Sequence, residues 1–217
     1  MQQVEVVIFD WDGTVMDSVS KIVRSLQIAA ELAQVPVPPA EEAKQIIGLS
    51  LGPAMDLLFP TASQPLKEQL AENYKHAYLH LDNTPTPFYP GAEQLFSTLR
   101  QRGYKLAVAT GKARRGLDRI LAETATGHYF AATRCADEAE SKPHPLMLNQ
   151  LLNHFSLQPQ QAVMIGDSKY DLLMAQQIAM PRIGITHGVH GHAEFAPLAP
   201  VAIVDQLADL LAHLPPR

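Results

Sequence analysis

Cysteine is almost missing from this 217-residue chain. Cys135 stands alone, so no internal disulfide framework can form, and a reducing compartment is expected. Positive charge is in deficit: 17 Lys and Arg against 22 Asp and Glu give a formal net charge of −5. With no basic run either, nothing is present to track a nucleic-acid backbone or an anionic membrane. No apolar run approaches the roughly 18 residues that a membrane-spanning helix needs. The start carries no charged-then-apolar leader, so a cytoplasmic location is expected. Internal repeats and low-complexity segments are also lacking. What is left is an apolar fraction of 47%, ordinary for a globular protein, in a length that suits one large domain or a domain with an insert.

Against that background one stretch stands out, Val6-Val7-Ile8-Phe9-Asp10-Trp11-Asp12-Gly13-Thr14. Four apolar residues in a row predict a strand buried on both faces, of the kind found inside parallel sheets. It ends in two carboxylates and a glycine turn. In extended backbone Asp10 and Asp12 project to one side and Trp11 to the other. Two acids leaving a buried strand together are costly unless a cation or a shared proton compensates them.

Downstream the pattern changes to helical spacing. Val19, Ile22, Val23, Leu26 and Leu32 predict a helix over 18–34 with Asp17 or Ser18 as its cap. Further helices are expected over 41–47, 53–59 and 65–81, and the polar, proline-rich segment 82–87 reads as a stiff return linker. From Pro90 onward helices and strands alternate, with strands expected at 104–110, 129–133, 162–167, 182–185 and 201–204 and the last two helices at 171–178 and 206–214. Alternation of this kind predicts an α/β fold with a doubly wound parallel sheet and right-handed crossovers. The expected division is a core of residues 1–15 and 87–217 and an all-helical cap of residues 16–86, inserted after the first strand.

In doubly wound sheets ligands sit beyond the carboxyl ends of the strands. Those ends carry Asp10 and Asp12, then Thr110-Gly111, then Gly166-Asp167-Ser168 with Asp171 a turn further on, while Ser141-Lys142-Pro143 adds a cation at a helix entrance. Several carboxylates without soft ligands call for a hard cation; Mg2+ takes one or two carboxylates and leaves room for phosphate oxygens. Thr110 and the Gly111 N–H suit two oxygens of a phosphoryl group, and Lys142 offsets its charge. One aspartate is then free to attack phosphorus and the other to move a proton.

Asp-x-Asp-Gly-Thr, Thr-Gly, Lys-Pro and Gly-Asp-x-x-x-Asp, in that order, resemble the haloacid dehalogenase superfamily of phosphohydrolases. The helical insert resembles members with a helical cap. Phe88-Tyr89-Pro90-Gly91-Ala92 and Ser141-Lys142-Pro143-His144-Pro145 resemble the phosphoglycolate phosphatase-like branch. The resemblance implies a Rossmann-like core and an Mg2+-dependent phosphatase acting on a small phosphomonoester through an aspartyl phosphate. It implies Asp10 as nucleophile and Asp12 as general acid and base. Asp10, the Asp12 carbonyl and Asp167 would hold Mg2+, and Thr110, Gly111 and Lys142 the phosphoryl group. Asp171 would orient Lys142 or a metal-bound water. A phosphomutase of the beta-phosphoglucomutase type, or a 5′-nucleotidase or pyrophosphatase of the same superfamily, is the alternative.

Gly48-Leu49-Ser50, between two cap helices, is the expected loop that dips toward the site, because glycine permits close approach. Lys21, Arg24 and Lys44 are candidate cap cations for a substrate carboxylate. His187, His190 and His192 are read as a glycine-rich surface loop at the cleft mouth, since no cysteine or acid completes a metal set. Lys112, Arg114 and Arg115 are read as a solvated helix face, with contact to an anionic substrate tail as the alternative, and His144 as a solvent-facing residue at a helix start.

Overall fold

The computed structural model describes residues 4–217, so the first three residues of the expected core segment lie outside the described residues. β1 (Val6–Phe9) is buried at every position. It takes the centre of a six-stranded parallel sheet, between β2 (Lys105–Ala109) on one side and β4 (Ala162–Gly166) on the other. β3 (Phe130–Arg134) flanks β2, and β5 (Arg182–Ile185) and β6 (Ala202–Val204) continue beyond β4, giving the order β3-β2-β1-β4-β5-β6. The chain leaves β1 toward one edge and returns to its other side, which opens a crevice beyond the carboxyl ends at the reversal.

Alternation along the strands supplies two apolar layers. Val7, Phe9, Leu106, Val108, Val163 and Ile165 face one, together with Phe96 and Leu99 of a helix over Ala92–Gln101. Val6, Ile8, Ala107, Ala109 and Met164 face the other, with Leu148 and Leu151 of a helix over Leu146–Phe155. Trp11 turns into the first layer, edge-on to Phe88 and Phe130 at 5.9 and 5.7 Å, as the alternation required.

Between β1 and β2 the regular elements are all helices. α1 (Val19–Leu32), α2 (Ala40–Lys44), α3 (Leu51–Leu58) and α4 (Gln64–His76) share their own apolar cluster around Leu26, Ala43, Met55 and Leu70. The helix expected over 65–81 stops being α-helical at His76 and widens into a π-helical turn, Ala77–Leu81. The last helix, expected over 206–214, is a 3₁₀ turn, Leu207–Asp209, followed by the short Leu210–His213. Two hydrogen bonds tie the crossings between core and insert: Asp17 N–H donates to the Pro87 carbonyl (2.8 Å) and Tyr89 N–H to the Val15 carbonyl (3.0 Å). Among the described residues no helix is long and apolar enough to cross a membrane.

Candidate active site

The sheet register assembles the site. Phe9 is level with Val108 on one side and Ile165 on the other, so Asp10, Thr110 and Asp167 emerge together within a residue or so. Asp10, Thr110, Asp167, Asp171 and Lys142 are all buried. Lys142 Nζ lies 2.8 Å from Asp10 Oδ1 and 2.6 Å from Asp171 Oδ1. The second contact is a hydrogen bond; the first is an ion pair without hydrogen-bond alignment, which leaves Asp10 Oδ1 without a hydrogen-bond partner. Asp167 is held by Thr14 Oγ1–H donating to Oδ1 (2.7 Å) and by the Val189 N–H donating to Oδ2 (2.9 Å). Gly13 and Gly188 close round the same carboxylate: a Cβ on either would stand 2.2 Å from Asp167 Oδ2. Gly13 also sits at φ +81°, a conformation that favours glycine.

Carboxylate oxygens of Asp10, Asp167 and Asp171 come within 4.8 Å of one another. Three carboxylates and one ammonium carry a net charge of −2 in a dry pocket. Burial pushes the Asp10 carboxyl well above its ordinary range; Asp171 adds to this and Lys142 opposes it. Burial, reinforced by Asp171, pushes Asp167 up to about 7 against its hydrogen bonds from Thr14 and Val189. Burial alone would pull Lys142 down, but Asp10 and Asp171 outweigh it and raise it. The cluster lacks one divalent positive charge, and its carboxylate oxygens converge within 4.8 Å, so the donor set fits a hard cation such as Mg2+. Asp171 is an unsuitable direct ligand, since Lys142 occupies one of its oxygens and Ser168, through N–H and Oγ–H, the other. That last pair of bonds also moves the helix start: α-helix runs over Lys169–Gln176 with Asp171 in its first turn, where 171–178 was expected.

The same imbalance makes stability depend on pH. Asp167 has its folded pKa near 7 against an ordinary 3.8, so between these values the folded protein holds more protons than the unfolded chain. Stability in chelator therefore falls as pH rises through that window, by on the order of a few kcal/mol. Mg2+ is expected to reverse the trend, raising the melting temperature more at pH 8 than at pH 5. Melting curves with EDTA and with Mg2+ across pH 4–8 test this; a Mg2+ effect that shrinks with rising pH would contradict it.

Asp12 has a separate setting. Ser18 Oγ–H donates to its Oδ1 (2.7 Å), and Lys112 Nζ lies 3.0 Å from its Oδ2. Both partners correct the sequence reading. Ser18 stands at the N-cap of α1 but makes no side-chain cap hydrogen bond, its hydroxyl serving Asp12 instead. Lys112 is not part of a solvated face: its side chain is 14% exposed and its ammonium also lies over the Tyr78 ring, 5.1 Å from the centroid. Arg114 is likewise engaged, with Glu138, Asp118 and Thr133, whereas Arg115 is exposed as expected.

A cleft of about 1440 Å³ between core and helical insert has Asp10, Asp12, Thr110 and Gly111 on one wall and Ile22, Leu49 and Tyr74 on the other. The expected loop Gly48-Leu49-Ser50 does reach the core. A Cβ on Gly111 would meet the carbonyl oxygens of Gly48 at 2.7 Å and Leu49 at 2.8 Å, and the Ser50 N–H donates to Ser141 Oγ at 2.9 Å. Arg24 and Lys44 turn to Glu31 and Glu41 and do not line the cleft, and Lys21 packs over Tyr78. The histidine loop divides. His187 stacks on Tyr89 at 3.7 Å and meets the Thr14 carbonyl through Nε2 (2.9 Å); His190 is buried, its Nδ1 accepting from the Lys169 N–H; only His192 is exposed as a surface-loop residue would be. His144 is exposed beside Glu140, as expected.

The sequence reading names Ser18 only as a helix cap and gives Thr14, Ser168, Gly188 and Val189 no role of their own. Thr14 carries a signal as the last residue of the first motif; Gly188 and Val189 act through the loop that folds over Asp167.

The chain is similar to known proteins over most of its length. A family model of haloacid dehalogenase-like hydrolases matches residues 7–185. The phosphoglycolate phosphatase of Vibrio vulnificus is 28% identical, over 97% of this chain and 96% of its own length. That of Aliivibrio fischeri is 30% identical, over 98% and 97%. A crystal structure of a predicted phosphoglycolate phosphatase from Haemophilus somnus covers 98% of this chain and 99% of its own, with a TM-score of 0.87 at 25% identity. Matched along most of its length in sequence and nearly all of it in fold, this chain belongs to the haloacid dehalogenase-like hydrolase family.

Proposed function

We propose that this protein is a Mg2+-dependent phosphatase that hydrolyses a small phosphomonoester of the phosphoglycolate type through an aspartyl phosphate on Asp10. The observation that carries the reading is Asp10 itself, a buried carboxylate on the cleft wall whose Oδ1 is met by the Lys142 ammonium at 2.8 Å and accepts no hydrogen bond. Asp10, Asp167 and the Asp12 backbone carbonyl would hold Mg2+, which supplies the positive charge that offsets the phosphoryl oxygens. Lys142 favours the ionised form of Asp10, Asp171 holds Lys142 in place beside it, and Thr110 and the Gly111 N–H receive the transferring group.

In the first step an Asp10 oxygen bonds to phosphorus, the ester P–O bond breaks, and Asp12 gives its proton to the departing alcohol oxygen. In the second, Asp12 takes a proton from a water whose oxygen bonds to phosphorus; the Asp10–phosphorus bond breaks, phosphate leaves and both acids return to their starting states. Asp12 suits this work because Ser18 and Lys112 orient it away from the acid cluster. Residues 16–86 act as the cap that excludes bulk water, and residues 1–15 and 87–217 as the catalytic core.

Phosphate release from 2-phosphoglycolate, sugar phosphates and nucleoside monophosphates, with Mg2+ and with chelator, tests the proposal. Turnover is expected with Mg2+ and not without it. Glucose 6-phosphate formed from glucose 1-phosphate without free phosphate would replace hydrolysis by mutase chemistry.

A further inference from the structure

Lys112 is built into the site more firmly than an incidental surface lysine. Its N–H donates to Thr110 Oγ1 (3.1 Å) and its carbonyl accepts the Ala136 N–H (3.0 Å), so its backbone is fixed beside the phosphoryl-binding loop. Its stem passes Gly116 of the next helix so closely that a Cβ there would stand 3.0 Å from Cγ and 3.3 Å from Cδ. The ammonium is thereby delivered to Asp12 and the Tyr78 ring. The other cations of the cleft are solvent-facing: Lys75 pairs with Glu72, Arg119 with Glu123, and Arg115 is exposed.

An ammonium has three donors and can bridge two carboxylates, as Lys142 does with Asp10 and Asp171. Among the described residues Asp12 is the single carboxylate paired with Lys112, and the lysine lines the cleft, so donor capacity remains on the substrate side. The alcohol oxygen that takes the proton from Asp12 must lie against that carboxyl, which puts it within one short side-group of Lys112 Nζ. We infer that Lys112 is the residue that selects the substrate, by binding a carboxylate carried on the carbon next to the ester oxygen. The inference rests on the hydrolase reading above and assigns the leaving group of that same site: the phosphate ester of a 2-hydroxy acid, with Lys112 bridging its carboxylate and Asp12. Tyr78, from the π-helical turn of the cap, covers the lysine and keeps the contact out of bulk water.

The test compares 2-phosphoglycolate with 2-hydroxyethyl phosphate, the same skeleton with the carboxylate replaced by an alcohol. Native protein is expected to favour the first in kcat/KM by tenfold or more. In Lys112→Met that preference falls by about 10- to 100-fold, mostly through KM for the acid, as expected for loss of a charge-assisted contact. Lys112→Arg, which keeps the charge, retains part of it. Equal losses on both esters would make Lys112 only a support for Asp12 and overturn the inference, as would a native protein indifferent to the carboxylate; in either case the hydrolase reading survives. Native protein that releases phosphate from neither ester nor from any other phosphomonoester overturns both.

Discussion

Asp10→Asn is expected to abolish phosphate release, by a factor of about 10⁴ or more, while leaving the fold intact. The amide matches the carboxylate in shape but lacks the anionic oxygen that bonds to phosphorus. Its effect on stability should run the other way from its effect on activity. The Asp10 carboxyl is held well above its ordinary pKa by burial, which means that its charge is unwelcome in the folded protein without a cation. Removing the charge relieves repulsion among Asp10, Asp167 and Asp171, and Lys142 keeps Asp171 as a partner. In chelator the variant should therefore melt no lower than the native protein, and Mg2+ should stabilise it less. Asp12→Asn separates the two roles: it should still accept a phosphoryl group from an ester with a good leaving group, and accumulate phosphoprotein because the second step lacks its base. Retained turnover in Asp10→Asn, or identical trapping behaviour of the two variants, would remove the assignment.

Lys142→Met should give the largest loss of stability. The ammonium is wholly buried and holds two buried carboxylates at 2.8 and 2.6 Å. Methionine fills similar space without charge, so packing changes little and the effect reports electrostatics. Breaking a buried ion pair from one side costs about 3–5 kcal/mol, equivalent to roughly 10 °C in melting temperature for a chain of this size. The three acids left behind repel one another only when ionised, so the deficit should be greatest at pH 8 and shrink toward pH 5, where they take up protons. Mg2+ should recover part of it. Phosphate release should fall as well, since Lys142 also offsets the charge of the transferring group. A melting temperature in chelator at pH 8 equal to that of the native protein would show that the contacts to Asp10 and Asp171 carry no net stabilisation.

The sequence by itself determined the parts of this protein that repeat with a short period or sit in a contiguous motif. The four-residue apolar run of β1, the alternation of helices and strands after Pro90 and the helical spacing between them fixed an α/β sheet interrupted by helices, because burial of one face imposes those periods locally. The strand-end acids, Thr110 and Lys142 were visible because such costly residues beside buried strands need a joint explanation. Boundaries were less visible. Ser18 looked like a helix cap, yet its hydroxyl serves Asp12, while the Ser168 N–H and hydroxyl both donate to the Asp171 carboxylate and set the start of a helix expected two residues later. Which acceptor a serine hydroxyl meets depends on what the fold brings within reach.

Tertiary structure alone decided the pairings across long separations. Lys112 follows Thr110-Gly111 and has the look of a charged helix start, but the register of β1 and β2 carries it to Asp12, a hundred residues earlier. Gly188 and Val189 enclose Asp167 only because β5 lies beside β4 and returns its loop over that strand end. Arg24 and Lys44 are cations on the cap that face acids of their own helices and away from the cleft. Side-chain chemistry is a local property, and so it was legible in the residues; direction and partnership arise from packing, and those the fold supplied.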